Sequence, residues 1–477
     1  MSTPQTCSIE KIPAEILLKI IKISVTEFNS DKRRLPPCNL LDTLSMVCST
    51  WRDVIRGAPE LWTTIYGSEP PSQMRAAIQF SQKMPLRLYG DDGKNPIPGR
   101  AANILFAEFY RMSVFEMYLR QDDFRSNVSL LGANCNTSLL ESFALWIEGP
   151  EEDGGDEEQD TALDLFGGKA PPRLTKLSIG GCKHSWDSAA FGNLTSLRIS
   201  SPNRCGSQCF VDALSRMPFL EELFLTRCVP LNFGLEDITM TVDFPRLSTL
   251  SFDDQISLCI ALLRRVRFQR LAHLIVIAES FEREDNEEYA ALFDVCRSHL
   301  ELYFETYPAY HLAVETTLYS MQATALSMVD EQSGQLEDVL SITLEAPTEG
   351  RALVDAELLA LSFNMIPGHE VRSFQCYLPH QFHPHFWTRT VSTAFPHLEG
   401  LFVDEKTLRG VMVALFQEIP GRIAQTQEEG VYRQELAFPN LRHLIAPMTA
   451  PPPPIFTAVL THRQASGLPL SLTKPMQ

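Results

Sequence analysis

The sequence predicts a two-part protein, in which a small N-terminal helical module precedes an α/β repeat of short parallel strands and helices. Three observations support this. The chain has 477 residues, more than one hydrophobic core usually serves. Residues 12–66 place apolar side chains at helical spacing around a polar, proline-ended break. From Leu174 onward one leucine pattern recurs every 20 to 27 residues, which is typical of a stacked repeat.

The composition indicates a folded, acidic protein. Hydrophobic residues make up 44% and charged residues 21% of the chain, ordinary values for a globular protein. The formal net charge is −18, from 41 basic and 59 acidic residues, which is the wrong sign for a nucleic-acid partner. Seven acids and no base lie between Glu151 and Asp160, so we expect a solvated acidic loop at 150–170.

The sequence also predicts an intracellular protein without a membrane partner. No apolar run approaches the roughly 18–20 residues that cross a bilayer, and the N-terminus lacks the pattern of a signal peptide. The 11 cysteines are odd in number and scattered, as expected of reduced thiols in the cytoplasm or the nucleus.

The first predicted helix begins near Pro13, where proline fits the first helical position and Glu15 suits the helix dipole. The apolar residues that follow cover more than one side of the helix: Ile16, Leu17, Ile20, Ile21 and Ile23. A short helix that is apolar on two sides needs two partners, and a module this small supplies only one.

A second helix is predicted from about Asn39, a suitable N-cap, to the region of Gly57. Its apolar positions at helical spacing are Leu40, Leu41, Leu44, Val47, Cys48 and Trp51. A short helical turn follows, with Leu61 and Trp62, and it closes at Ile65.

These three elements, in this order and at these distances, resemble the F-box, a helical module that docks on the Skp-type adaptor of cullin–RING ubiquitin ligases. The chain particularly resembles the F-box proteins of mushroom-forming fungi. Ile12, where leucine is commonest, and a polar insertion at 29–34 depart from the pattern. The resemblance implies that the adaptor is bound by Ile12, Pro13, Ile16, Leu17, Ile20, Ile21, Leu44, Val47, Cys48, Trp51, Leu61 and Trp62. The alternative is a plain helical hairpin with Trp51 and Trp62 in its core, but that hairpin alone would expose a large apolar surface.

The repeat has the pattern leucine-x-x-leucine-x-apolar. Its clear copies start at Leu174, Leu194, Leu220, Leu247 and Leu271, and weaker copies lie on both sides. One such unit cannot bury its own leucines, whereas stacked units share a core. The prediction is an α+β or α/β repeat: a three-helix F-box, then an irregular leucine-rich-repeat solenoid with parallel strands on the concave face and helices on the convex face. The alternative is an ordinary α/β domain, because the spacing becomes irregular after Leu271.

The predicted domains are an F-box at 8–66, a helical linker and start of the array at 67–110, the repeat domain at 111–450 and a proline-rich tail at 451–477. The tail is predicted because four prolines at 451–454 cannot continue a helix or a central strand.

Two clusters invite a metal site and are discounted. The spacing of Cys182, His184, Cys205 and Cys209 would allow a zinc site. Cys182, however, already occupies the position of the leucine-rich-repeat pattern that takes asparagine or cysteine. The second cluster, His380, His383 and His385, lies beside prolines and is better explained as a surface loop. We expect no metal, no cofactor and no catalytic residue, since no nucleophile elbow, Walker loop or dinucleotide motif is present.

The expected function is substrate recognition for a Skp–cullin–F-box type ubiquitin ligase, as a non-catalytic subunit. The adaptor would bind the F-box, and an unidentified protein substrate would bind the concave face, where Arg198, Phe224 and Ile275 are the candidates. Three alternatives remain: an adaptor-bound scaffold, a plain leucine-rich-repeat binding module, and a metal- or thiol-dependent enzyme.

Overall fold

The computed structural model forms two compact units, Met1–Leu220 and Glu221–Gln477, which are described separately below. The residues that it describes are 12–30, 37–90, 95–131, 136–148, 165–200, 204–233, 241–269, 271–279, 286–306, 309–316, 320–330, 335–345, 356–378, 381–416, 438–446 and 454–473.

The first unit opens with a helical module. Its elements are helices α1 (Ala14–Ser30), α2 (Pro37–Ser45) and α3 (Ser49–Arg56) and a 3-10 turn at Pro59–Trp62. The core of the module is apolar and closed: Leu17, Ile21, Leu41, Ile55, Leu61 and Trp62 are all buried. The indole Nε1 of Trp62 donates to the carbonyl oxygen of Ile55 at 2.9 Å, so the turn is fixed to the end of α3.

The predicted second helix is two helices in the structure. Helix α2 ends at Ser45, because the N–H groups of Met46 and Val47 bond back only three residues, to Thr43 and Leu44. Cys48 is then extended, with φ −162° and ψ 174°, before α3 starts. The apolar spacing alone does not reveal this break, since α3 begins only four residues after α2 ends.

The rest of the first unit is a parallel sheet with helices on one side. Its strands, paired in chain order, are β1 (Thr64–Tyr66), β2 (Leu86–Tyr89), β3 (Met112–Arg120), β4 (Ser142–Glu148), β5 (Lys176–Gly180) and β6 (Ser196–Ser200). Its helices are α4 (Pro71–Phe80), α5 (Gly99–Ala107), α6 (Gln121–Asn127) and α7 (Ser207–Ser215). Residues 67–110, predicted as a helical linker and the start of the array, hold α4, β2 and α5.

The second unit has a larger, mostly parallel sheet. Its strands are β7 (Glu222–Thr226), β8 (Val242–Phe244), β9 (Thr249–Gln255), β10 (Val266–Phe268), β11 (His273–Glu279), β12 (Ala309–Thr316), β13 (Ser320–Asp330), β14 (Gln335–Glu345), β15 (Ser373–Tyr377), β16 (Gly400–Val403), β17 (His443–Ile445) and β18 (Ser471–Thr473). Within the unit the order is β7-β9-β11-β14-β13-β12-β15-β16-β17-β18, and β8 pairs separately with β10.

The helices of the second unit lie between these strands in the chain. They are α8 (Ile256–Arg265), α9 (Asn286–Thr306), α10 (Ala356–Ser362), α11 (Ser392–Ala394), α12 (Glu405–Phe416) and α13 (Pro454–Ala465), with a π-helical segment at Phe386–Val391.

A three-stranded insertion interrupts the parallel order. Strand β13 is antiparallel to both β12 and β14, whereas every other pairing in the unit is parallel among the described residues. Only three residues separate β12 from β13 and four separate β13 from β14, too few for the crossover that a parallel pair needs. The prediction of parallel strands throughout is therefore wrong in this segment, where the leucine spacing also becomes irregular.

The predicted proline-rich tail contains further regular structure. Helix α13 begins at Pro454, a position where proline is tolerated, and β18 then pairs in parallel with β17. Arg463 on α13 is 1% exposed and donates to the carbonyl oxygens of Phe438 at 3.0 Å and Leu441 at 3.4 Å. The expectation that the array ends at 451–454 is not met, because proline excludes only the interior of a helix.

Buried and outward side chains alternate along the repeat strands, as the pleat of a strand requires. The central leucines Leu177, Leu197, Leu223, Leu250 and Leu274 are all buried. Their successors Ser178, Arg198, Phe224, Ser251 and Ile275 are half-buried or exposed. None of the described helices combines the length and apolar character that a membrane span requires.

Candidate adaptor-binding surface

Helix α1 carries two apolar stripes with opposite surroundings. Leu17 and Ile21, one turn apart, are each 1% exposed and pack into the module. Ile16, Ile20 and Ile23 form the other stripe and are 51%, 44% and 49% exposed. A helix that has already buried one apolar stripe retains a second one at its surface, which is the arrangement of an interface rather than of a core.

The turn between α2 and α3 exposes two further large apolar side chains. Met46 is 74% exposed and Val47 is 50% exposed. The extended backbone at Cys48 separates this turn from α3. Met46 and Ile23 were not among the predicted adaptor-binding residues. Met46 is exposed because it lies beyond the end of α2, at a break that the apolar spacing does not reveal.

The predicted adaptor-binding residues fall into three groups. Those that the structure buries are Leu17, Ile21, Leu61 and Trp62. Those that it leaves half-buried are Ile12, Leu44, Cys48 and Trp51. Those that it exposes are Pro13, Ile16, Ile20 and Val47. Only the second and third groups have side-chain surface with which to contact a partner, whereas the first group shapes the module.

Trp51 on α3 both packs within the module and has accessible side-chain surface. Its side chain is half-buried, yet its indole Nε1 is inaccessible and has no hydrogen-bond partner among the described residues. The neighbouring Arg52 donates from Nε to the carbonyl oxygen of Ser45 at 3.1 Å, which braces the α2–α3 turn. The Trp51 ring therefore contributes packing to the module and some accessible surface beside it.

Polar contacts hold the module in a fixed geometry. The ammonium group of Lys22 on α1 lies 2.9 Å from the carboxylate of Glu60 and lowers the pKa of that carboxyl group by hydrogen bonding. Gln73 on α4 donates to Asn39 at 3.1 Å and to Asp42 at 3.2 Å, both on α2. These contacts join α1 to the 3-10 turn and α2 to α4, so the exposed apolar side chains are presented on a braced scaffold.

Among the residues that the structure describes, the cysteine–histidine cluster is not gathered into one set of metal ligands. No group of three or more His, Cys, Asp or Glu side chains suited to a metal ion occurs in the described part of the chain. His184 is 2% exposed against Trp186, with ring centroids 5.1 Å apart, and burial lowers the pKa of His184 to about 4. Burial and the neighbouring Cys209 raise the pKa of the Cys205 thiol to about 12.

The second cluster is described only in part. His383 and His385 are exposed, with rings stacked 4.9 Å apart, and His380 lies outside the described residues.

The predicted substrate-binding residues lie on the outward side of the strands. Arg198 is exposed on β6 in the first unit. Phe224 and Ile275 are half-buried in the second unit, and both are register partners of Ser251 on β9, so they lie in one row two strands apart.

A comparison with protein-family models identifies one family in this chain. The F-box-like model matches residues 9–68, which include α1, α2, α3, the 3-10 turn and β1. No curated protein matches the chain. F-box domains generally bind Skp-type adaptors in cullin–RING ligases and are typically parts of non-catalytic subunits. The chain therefore contains an F-box-like domain at residues 9–68, followed by a mixed α/β region with a large, mostly parallel sheet.

Proposed function

We propose that this protein is the substrate-recognition subunit of a Skp–cullin–F-box type ubiquitin ligase. The F-box-like domain docks the adaptor, and the α/β region, which we interpret as an irregular leucine-rich-repeat solenoid, holds a protein substrate. Its contribution to ubiquitin transfer is tethering, since linking two sites raises the effective concentration of one beside the other to roughly the millimolar range. No side chain of this chain needs to form a covalent bond in that mechanism.

The exposed stripe of α1 is the observation that carries the proposal. Three isoleucines, Ile16, Ile20 and Ile23, remain about half exposed on a helix whose opposite stripe is buried. Burying three such side chains against a partner is worth roughly 1.5–3 kcal/mol each at full burial. A helix face of this kind fits a groove lined by apolar side chains, as an adaptor would provide.

Adaptor binding by α1 is tested with one charge substitution on that stripe. Ile20→Asp in the full chain places a carboxylate in the proposed interface, and we expect the affinity for a purified Skp-type adaptor to fall at least about tenfold. Leu130→Asp is the matched control, since Leu130 is also an apolar residue of a helical turn, 48% exposed against 44% for Ile20. Circular dichroism of both variants checks that folding is unchanged.

Two results would contradict the proposal. The first is an intact chain that does not bind the adaptor at tens of micromolar, and the second is equal weakening by Ile20→Asp and Leu130→Asp. Ubiquitination then separates a ligase subunit from a scaffold. A reconstituted cullin–RING complex with this chain should modify a captured protein, and without the chain it should not.

A further inference from the structure

The outward face of the first unit's sheet carries aromatic rings at neighbouring positions. Tyr66 on β1 is buried, and its register partner Tyr89 on β2 is half-buried, with ring centroids 5.7 Å apart. Tyr118 and Trp146 are register partners on β3 and β4, and both are half-buried. Aromatic side chains on the outward side of a sheet cannot contribute to the leucine core, so another reason is needed for their presence.

Trp146 lies across the backbone of the next strand. Its register partner on β5 is Gly180, and a Cβ atom added at Gly180 would overlap the six-membered part of the Trp146 ring. Glycine at this position therefore allows the indole to lie over the strand. The half-buried ring presents a broad apolar surface with little conformational freedom left to lose on binding, which favours stacking with a ligand.

Positive charge surrounds these rings, in a chain whose net charge is −18. The outward charged residues of β2–β6 are Arg87, Glu116, Arg120, Glu148, Lys176 and Arg198, four cations against two carboxylates. The guanidinium group of Arg87 lies 5.6 Å from the Tyr89 ring centroid, and Arg120 lies 3.9 Å from Glu148.

In the second unit, the outward strand residues carry negative charge instead. Its outward strand positions include Glu222, Asp253, Glu279 and Glu315, and the described strands of its large sheet contain neither lysine nor arginine. The basic character is thus confined to one face in the first unit and does not follow from the overall composition. An acidic ligand is favoured there by charge complementarity.

We propose that this aromatic–basic face, formed by the outward residues of β1–β6, binds an extended acidic segment of a protein substrate, with an apolar side chain stacked on Trp146. This proposal rests on the proposed function and names the class of its substrate. Strands β2 to β6 span four spacings of about 4.8 Å, enough for roughly six extended residues. A peptide fits better than a nucleic acid, because Glu116 and Glu148 lie among the rings and would repel a continuous phosphate backbone.

Fluorescence anisotropy of the full chain tests the ligand class. The probe is a labelled peptide of about ten residues in which glutamates flank a central Pro-Phe pair. We expect the glutamine version of the peptide to bind about tenfold more weakly, and added salt to weaken the glutamate version. Equal binding of the glutamate, glutamine and lysine peptides would overturn the proposal. So would stronger binding of single-stranded polythymidine of similar length.

Three variants test the site itself. Trp146→Ala removes the ring, whereas Gly180→Ala keeps the ring and displaces it, so the second variant remains informative if the first is unstable. Arg198→Glu reverses one charge, and Arg100→Glu, at an exposed position on α5, is its control. We expect the first three to lower peptide affinity about tenfold and Arg100→Glu to leave it unchanged.

Adaptor binding separates the two proposals. All four variants should retain it, because none changes the F-box-like domain. Normal adaptor binding with wild-type peptide affinity in Trp146→Ala, Gly180→Ala and Arg198→Glu would contradict the peptide site and leave the adaptor role standing. Loss of adaptor binding by the unmodified chain would contradict the proposed function, whatever the peptide result.

Discussion

At the scale of single residues, neighbours on α1 have different surroundings, because a helix turns about 100° per residue and places them on different sides. Leu17 is 1% exposed and Ile16 is 51% exposed. Leu17→Ala should therefore lower the free energy of unfolding of the module by about 2–5 kcal/mol, the usual range for a core leucine. Urea denaturation followed by the fluorescence of the module's tryptophans measures this loss.

The same substitution at the neighbouring position is the comparison. Ile16→Ala should change the free energy of unfolding by only about 0.5 kcal/mol, since its side chain is half in solvent already. If Leu17→Ala and Ile16→Ala cost the same stability, α1 is rotated relative to the structure. Because Leu17 is buried, a loss of adaptor binding in Leu17→Ala would reflect damage to the module and would not measure a direct contact with the adaptor.

His184 makes the stability of the first unit depend on pH. Burial lowers its pKa to about 4, from an ordinary value of 6.5. Between these two values the unfolded chain binds a proton that the folded chain does not, so stability falls as pH falls from about 6.5 toward 4. A difference of this size is worth about 3 kcal/mol across that range.

Replacing His184 with leucine removes its titration. As pH falls from 7 to 5, the unfolding free energy of the wild type should fall relative to that of His184→Leu. Few carboxyl groups titrate in this range, so the difference reports on His184. Denaturant titrations at three pH values measure it. Parallel pH profiles for the two proteins would mean that His184 is accessible to protons in the folded state.

At the scale of the element, β7 offers a direct test of strand register. Leu223 is 1% exposed and points inward, whereas the next residue, Phe224, is half-buried on the outward side. Leu223→Asp should unfold the second unit, because a buried carboxylate without a partner costs several kcal/mol. Phe224→Asp should leave the unit folded while reducing capture of any substrate that binds this face.

Hydrogen exchange distinguishes the two cases. Amide protection across β7, β9 and β11 should be lost in Leu223→Asp and kept in Phe224→Asp. Loss of protection in Phe224→Asp would show that Phe224 belongs to the core and that the register is displaced by one residue.

The side of each repeat strand that faces the core could be predicted from the sequence, because side chains alternate between the two sides of a strand and the leucines all lie on one of them. The F-box pattern could be predicted too, since its three elements are local. The break at Cys48 could not, because apolar spacing continues through it. Strands β12 and β13 lack the leucine pattern and are stabilised by pairing with each other, a contact that spacing does not encode. The exposure of Ile16 and Ile20 also depends on how α1 packs, not on its composition.

At the scale of the whole molecule, the F-box-like domain and the outward sheet faces are different surfaces, which suits the tethering that we propose. The first unit carries an F-box-like domain and a sheet face with an excess of positive charge, and the second unit carries a face with acidic residues. In each unit the buried leucines lie on one side of the strands, which leaves the other side free to vary in charge and shape. Residues on such a face can therefore change without disturbing the core.

Residues 454–473, which contain α13 and β18, are packed into the second unit. Phe456, Val459 and Leu470 of this segment are buried, and Arg463 donates to two buried carbonyl groups. At roughly 1.5–3 kcal/mol for each apolar side chain, removing residues 447–477 should destabilise the second unit by about 5 kcal/mol or more. It would also leave β17 as an edge strand, paired only with β16. Calorimetry should show a lowered transition. An unaltered transition in the truncated chain would mean that α13 and β18 are not packed on the sheet.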